Sequence, residues 1–298
     1  MQTIIIYIAT VLIWGSTWIM IKFQLGVVPP QVSLVYRFAL AALVLAAYAK
    51  WKGRRMTVSK QDLPMVAIQG FFMFSANYYF VYTGTAYVTT GLVAVLFTLL
   101  VFMNAINERL FFGTKITGTA VIAGLGALAG VGMMFWPEIR VLTLQDDTVK
   151  GIALIICGAL MASFGNMAAI RNTRRRLPVV AVNMLGMAFG TLCSLIFAIA
   201  TGQAFIMEWT FSYVSSLVFL AIPGTAVAFG LYLMLLERIG GAKAAYTAVM
   251  LPVIALLIST AFEGYRWSTL AVLGLFIAIV GNALALMEKT SPETRNDA

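Results

Sequence analysis

The side chains able to do chemistry in this chain are hydroxyls, phenols, indoles and amides set at helical spacing inside apolar runs. At about 100° per residue, Thr3, Tyr7, Thr10, Trp14, Thr17 and Trp18 fall within roughly a 100° arc of one helix. The rest of that surface is mainly Ile, Val, Leu, Ala and Met. Ser75, Tyr78 and Tyr82 share a face further on, with Phe71 and Phe74 beside them. Thr90, Phe97, Asn104 and Glu108 share another, as do Lys243, Tyr246, Met250 and Thr260, and Ser163 lies close to Asn166. Groups of this kind stack on rings and exchange hydrogen bonds. Acid–base, phosphoryl and metal chemistry have no motif: there is no His, no GxxxxGK[ST] and no HExxH. No Asp falls inside an apolar run, so a carboxylate proton relay at a membrane midplane is not visible. An enzyme should show a polar catalytic pair in one plane, and none is found. No enzymatic activity, metal or cofactor is expected.

The elements that must position these stripes follow from composition. The 298 residues are 61 % hydrophobic and 10 % charged, with a mean hydropathy of +0.94. Soluble chains are about a quarter charged, so the solvent here is lipid. The net charge of +9 would favour nucleic acid in a soluble protein. Here the basic residues cluster between apolar runs, which suits anionic headgroups, and no nucleic-acid partner is expected. A spanning helix needs about 20 apolar residues. Ten runs qualify: Thr3–Ile21, Val32–Ala49, Leu63–Tyr82, Tyr87–Ile106, Ile116–Trp136, Gly151–Ile170, Val179–Ala200, Phe211–Leu236, Ala244–Phe262 and Leu270–Met287. Pro223 and Pro252 fall inside two of them and predict kinks or local openings. Cys157 and Cys193 sit mid-run and are expected to be small core residues. The opening MQTIIIYIATVLIWG has no basic n-region and no cleavage site, so no removable signal peptide is expected.

Orientation follows from charge. With both termini in the cytoplasm, fifteen of the twenty Lys and Arg residues fall on the inner side, and the reverse orientation inverts that ratio. Lys22 and Arg37 then reach the outer interface by snorkelling, where both could meet a departing substrate carboxylate. Glu108 and Glu263 follow the fourth and ninth runs and are expected to anchor helix ends beside Arg109 and Arg266. Each precedes a glycine, Gly126 or Gly281, by the same interval, and Leu96 matches Leu251 as Ala123 matches Ala278. Two five-helix units cross an odd number of times each and so lie in opposite orientations, the plan of inverted-repeat carriers. The expected architecture is an all-α integral membrane protein of ten transmembrane helices, two inverted five-helix repeats around a central cavity. Residues 1–136 and 150–288 form the repeats, 137–149 an extracytoplasmic linker and 289–298 a cytoplasmic tail. The repeats are expected to rock against each other.

The chain resembles the EamA-type drug/metabolite transporters from Thr3 to Met287. The resemblance rests on ten helices, a first helix with Trp14-Gly15-Ser16 that ends in Lys22, and a Glu after helices four and nine with a small-residue helix following each. The tyrosine-rich third helix looks most like the bacterial aromatic amino-acid exporters. This resemblance implies export of amino acids or related metabolites across the bacterial inner membrane, through a central cavity, by a single subunit. Related four-helix multidrug transporters carry a Glu in helix one; this chain has none, which argues against proton-coupled efflux of cationic drugs.

Trp14, Tyr78 and Tyr246 lie deeper than an interfacial aromatic belt. The expected substrate-binding set is Trp14, Thr17, Trp18, Ser75, Tyr78, Tyr82, Asn166 and Tyr246. The substrate expected is a neutral or zwitterionic solute, chiefly an amino acid with an aromatic or large apolar side chain. Export of drugs or other lipophilic metabolites stays open, as does a membrane-embedded scaffold or enzyme.

Overall fold

A computed structural model describes residues 2–88, 90–140, 146–262 and 267–287. Every regular element in them is helical. In chain order these are α1 Gln2–Lys22, α2 Pro30–Trp51, α3 Leu63–Phe71, α4 Asn77–Thr85, α5 Thr90–Phe97, α6 Leu100–Phe112, α7 Gly118–Met134 and α8 Trp136–Ile139. Then come α9 Asp146–Arg174, α10 Val179–Ala200, α11 Phe211–Ala221, α12 Ala228–Ile239, α13 Gly241–Ala245, α14 Thr247–Phe262 and α15 Thr269–Met287. Residues Phe72–Ala76 and Ile222–Val227 are π-helical turns that join α3 to α4 and α11 to α12 without a break in the rod. Residues 141–145 of the expected linker, Glu263, Arg266 and the tail 289–298 lie outside the described residues.

Element ends follow local chemistry. Pro30 opens α2 and Pro64 sits in the first turn of α3, where a missing N–H costs nothing. Thr210 caps α11 by accepting the Tyr213 N–H at 3.2 Å. Gly113, at φ +69°, and Gly240, at φ +79°, end α6 and α12 in a conformation that a Cβ disfavours. Pro252 lies inside α14 without ending it, whereas Pro223 sits in a π turn. Six stretches are long and apolar enough to cross a bilayer among the described residues: Gln2–Lys22, Pro30–Trp51, Val95–Phe112, Asp147–Arg174, Val179–Ala200 and Phe211–Ile239. Val121–Met134, Lys243–Ile258 and Thr269–Gly281 are shorter apolar helices. Of the four other runs, three are these shorter helices, and the α3–α4 rod carries Gln69, Ser75, Asn77 and three tyrosines, which lower its hydropathy.

The side chains are arranged inside out relative to a soluble protein. Ile4, Ile5, Ile8 and Leu12 of α1, Leu192, Ile196 and Ile199 of α10, and Phe276 and Val280 of α15 are exposed, while Gln24, Arg37, Gln69, Asn104, Asn166 and Asn183 are buried. Cys157 is exposed and Cys193 half-buried, so neither is the core residue expected, because both sit on outward helix faces.

Helix partners cross the two sequence halves. α1 packs chiefly on α14 and α12, and α9 packs chiefly on α4, α6 and α3. The longest contacts join α7 to α15 and α2 to α10. A Cβ on Gly130 would lie 2.7 Å from the Gly274 carbonyl oxygen, so the α7–α15 seam depends on bare backbones meeting. At one end of the molecule Asp62 Oδ2 accepts from Ser59 Oγ at 2.8 Å, and Oδ1 forms ion pairs with Arg171 Nη1 at 2.8 Å and Arg175 Nε at 2.7 Å. This ties the loop before α3 to the end of α9. Nearby, Asn172 Nδ2 donates to Gln69 Oε1 at 2.9 Å.

The Ser59 hydroxyl, then the Arg171 and Arg175 guanidinium groups, hold the Asp62 carboxyl below its ordinary value of 3.8. A depressed carboxyl stabilises the fold above its unfolded value and loses that contribution as pH falls through the folded one. Thermal unfolding in detergent should therefore show Asp62→Asn less stable than the parent at pH 7. The two should converge as pH is taken below about 3.8. A constant difference across that range would remove the ionised carboxylate as the cause.

Candidate functional site

The inward polar stripe of α1 meets helices from both sequence halves around a cavity of about 90 Å³. α1 contributes Trp14, Thr17, Trp18 and Ile21, and the α3–α4 rod contributes Met73, Asn77, Tyr78 and Val81. Phe97 and Leu100 flank the turn that separates α5 from α6, and Ala162 and Asn166 come from α9. Phe229 and Tyr232 of α12, with Thr247, Ala248 and Leu251 of α14, close the ring. No Asp, Glu, Lys or Arg is among these residues. The space admits several waters but falls short of the few hundred Å³ typical of ligand pockets, so a ring-bearing solute enters only when the walls part.

Backbone irregularity fixes the aromatic wall. The Trp14 indole N–H donates to the Gly224 carbonyl at 3.2 Å. Gly224 lies in the π turn, where backbone pairing departs from the regular ladder. Held there, the Trp14 ring meets Phe229 edge-on at 5.0 Å and Tyr232 at 4.9 Å, and Phe229 meets Phe74 at 4.7 Å. The Trp18 ring lies 5.8 Å from Phe97. Such edge-to-face pairs each add about 0.5–1.5 kcal/mol to area burial. The wall is therefore a fixed surface of ring faces and edges.

Polar groups are placed in two ways. The Tyr232 hydroxyl donates to Asn166 Oδ1 at 3.2 Å, and Asn166 Nδ2 donates to Asn104 Oδ1 at 3.3 Å. These four atoms satisfy one another, while Asn104 Nδ2 is left without a partner. Trp18 Nε1 and Asn77 Oδ1 likewise have no hydrogen-bond partner although their residues are only 8 % and 7 % exposed. A buried orphan donor or acceptor costs about 1–3 kcal/mol. Both residues line the cavity, but the indole N–H and the amide oxygen are themselves covered, so each meets a ligand only when its side chain shifts.

Of the expected site residues, Trp14, Thr17, Trp18, Tyr78 and Asn166 line the cavity. Ser75 points instead to α10, where its hydroxyl shares a 2.9 Å bond with Ser194. Tyr82 is fully buried behind Tyr78, 6.4 Å between rings, within hydrogen-bond reach of Arg37. Tyr246 is packed with α7 and α14 side chains, and its carbonyl accepts from the Tyr7 hydroxyl at 3.1 Å. Asn77, Phe229 and Tyr232 line the cavity outside the expected set. Their signal lay in "NYY", next to Tyr78, and in the Phe-Gly-Leu-Tyr step that begins six residues beyond Pro223.

Two charged residues depart from expectation. Arg37 does not snorkel: it is 1 % exposed, two turns inside α2, and Thr225, Tyr78 and Tyr82 hold its head within the bundle. Glu108 is buried while Arg109 is exposed, so Glu108 is not a surface anchor. It packs against Gly241 at the start of α13.

An inward aromatic and amide cavity, enclosed by helices whose outer faces are greasy, is the form of a membrane carrier. The family model of the EamA-like transporter family matches residues 1–136 and 149–287, and the chain belongs to that family. It is a membrane transporter, not an enzyme. Curated relatives include the uncharacterized transporter YoaV of Bacillus subtilis, 23 % identical with 84 % of each chain covered. Protein PagO of Salmonella typhimurium is 25 % identical over 97 % of this chain and 94 % of its own. The uncharacterized inner membrane transporter YedA of Escherichia coli K12 is 24 % identical over 94 % and 89 %. A protein of known crystal structure shares the fold, at TM-score 0.76 and 16 % identity, over 95 % of this chain and 96 % of that one.

Trp18→Phe tests the orphan donor. It keeps a ring and removes the N–H, so the folded protein should be equally or more heat-stable. Affinity for a ligand that accepts this bond should fall about fivefold. Stability lost together with unchanged affinity would assign the indole to packing.

Proposed function

We propose that this protein is a secondary carrier that exports aromatic and large apolar amino acids, and related small metabolites, across a bacterial inner membrane. The carrying observation is the cavity itself: ring faces for an apolar side chain and no charged side chain in the wall, with an unpartnered donor on Trp18 and an unpartnered acceptor on Asn77 covered just behind the surface. Binding a lipophilic drug would leave both orphan groups unpaired, which disfavours that reading. The relative named as an inner membrane transporter supports the location. Charge asymmetry supports cytoplasmic termini.

Ten spans in two inverted repeats fit the packing. Each half carries a π turn in its third rod, at Phe72–Ala76 and Ile222–Val227. Pairing of α2 with α10 and of α7 with α15 is what a two-fold relation between halves produces. The bodies that move are then not the sequence halves. α9 belongs with α3 to α6, and α1 with α11 to α14, leaving the cavity between the two groups. They touch where Ile170 and Glu108 meet Gly241. With Cys157 and Cys193 replaced by serine, a disulfide between Ile170→Cys and Gly241→Cys should stop transport in vesicles, and reduction should restore it. Undiminished flux through the oxidised protein would reject the two-body motion.

Substrate class is tested with alanine, leucine, phenylalanine and tryptophan in reconstituted vesicles. Trp14→Ala and Tyr78→Ala should weaken apparent affinity a few-fold to tenfold for the aromatic pair, from stacking of about 0.5–1.5 kcal/mol, and less for alanine. Equal losses for all four, normalised to folded protein, would return these rings to structural packing. Absence of transport of any of the four would reject the amino-acid reading.

A further inference from the structure

Arg37 is the one membrane-buried cation among the described residues whose contacts include no carboxylate. Its Nε donates to Thr225 Oγ1 at 2.9 Å. Nη1 and Nη2 reach the Tyr82 and Tyr78 hydroxyls at 3.4 and 3.3 Å. Charge-assisted bonds run near 2.7–2.9 Å, so only the first is a close one. The guanidinium carbon stands 4.5 Å over the Tyr78 ring and 5.2 Å from the Phe38 ring. A guanidinium offers five N–H donors in a planar fork, and here two neutral phenols hold its outer edge loosely. Burying an unneutralised charge in a membrane is costly, and such residues mark substrate pathways. Tyr78 is the single side chain that both faces the cavity and covers the guanidinium.

We propose that Arg37 is the substrate-recognition residue for a carboxylate, reached from the cavity when Tyr78 swings aside. The ligand carboxylate replaces the two phenolic hydroxyls on Nη1 and Nη2, while Thr225 keeps hold of Nε. Its apolar part stays against the Trp14–Phe229–Tyr232 wall. This rests on the carrier reading and refines it: ligands are sorted by the carboxylate, and the ammonium is secondary.

The test is thermal unfolding and intrinsic-tryptophan titration of the protein in lipid nanodiscs with three ring-matched probes: 3-phenylpropionate, phenethylamine and benzyl alcohol. The parent should bind and be stabilised by 3-phenylpropionate alone or well ahead of the other two. Arg37→Gln should weaken 3-phenylpropionate at least about tenfold and leave benzyl alcohol unchanged. Tyr78→Phe keeps the ring and the buried charge while releasing one N–H, so it should tighten 3-phenylpropionate about fivefold. This second variant decides the matter if Arg37→Gln does not fold. Failure of 3-phenylpropionate to bind the parent overturns the proposal, as does equal binding by folded Arg37→Gln or no gain in Tyr78→Phe. The carrier reading is judged separately, by flux: vesicles that transport phenethylamine but no carboxylate would retain a carrier and lose the role of Arg37.

Discussion

Hydrocarbon offers no hydrogen bonds, and that one constraint arranges most of this molecule. A polar side chain on any spanning helix must find its partner inside the bundle. α1 therefore turns Thr10, Thr17 and Trp18 inward and leaves Ile4, Ile8 and Leu12 outside. The threonines satisfy themselves on their own helix, Thr10 on the Ile6 carbonyl and Thr17 on that of Trp14. Indole and amide groups cannot do so, because their geometry points away from the helix that carries them. They need carbonyls or amides on other helices; at Trp18 and Asn77, two of the residues that line the cavity, none is supplied.

Broken backbone supplies such acceptors. Pro223 has no N–H to give to the preceding turn, and the chain responds with a π turn rather than a helix end. That turn presents Gly224 O to Trp14 and Thr225 Oγ1 to Arg37. One irregular stretch thus anchors the aromatic wall and the buried cation together. A Cβ on Gly224 would press on Thr17 Cγ2 at 3.0 Å, so that methyl would have to give way. The α5–α6 turn plays a similar part on the facing side. Thr98 closes on the Val95 carbonyl at 2.6 Å, and the turn sets Phe97 against Trp18 and places Leu100 in the cavity wall.

Much of this is legible in the amino-acid sequence, and the remainder has identifiable causes. Apolar run length and the helical period locate the rods and the inward face of α1, because lipid enforces both. The matched spacing of Glu108 and Glu263 hints at a repeat, although Glu263 lies outside the described residues. Period alone does not say which neighbour a stripe meets. Ser75 and Tyr78 share a face on a regular helix, yet the π turn at Phe72–Ala76 rotates the rod beyond it, sending Ser75 to α10 and Tyr78 to the cavity. Tyr246 misses the cavity for a related reason: the chain turns at that residue between α13 and α14, so the face assigned on a continuous helix does not exist. The interface expected for Arg37 rests on the habit of isolated cations to snorkel. Its depth of seven residues into α2, roughly 10 Å, argues the other way.

The placement of Arg37 also bears on how binding and movement are linked. Its three bonds reach different parts of the carrier: Thr225 lies between α11 and α12, whereas Tyr78 and Tyr82 belong to α4. In this structure one guanidinium, carried on α2, bonds to both helix groups beside the cavity. A ligand shifts a conformational equilibrium only by the difference in its contacts between states. A carboxylate that takes Nη1 and Nη2 from the tyrosines provides such a difference, because it removes the tie to α4 and leaves the tie to Thr225 intact. The phenol bonds are long, at 3.3 and 3.4 Å, so the protein loses less by giving them up than a guanidinium–carboxylate pair returns. An apolar ligand of the same shape gains the ring wall in either state and has no comparable leverage. On the proposed role of Arg37, recognition and release of the two bodies depend on the same side chain.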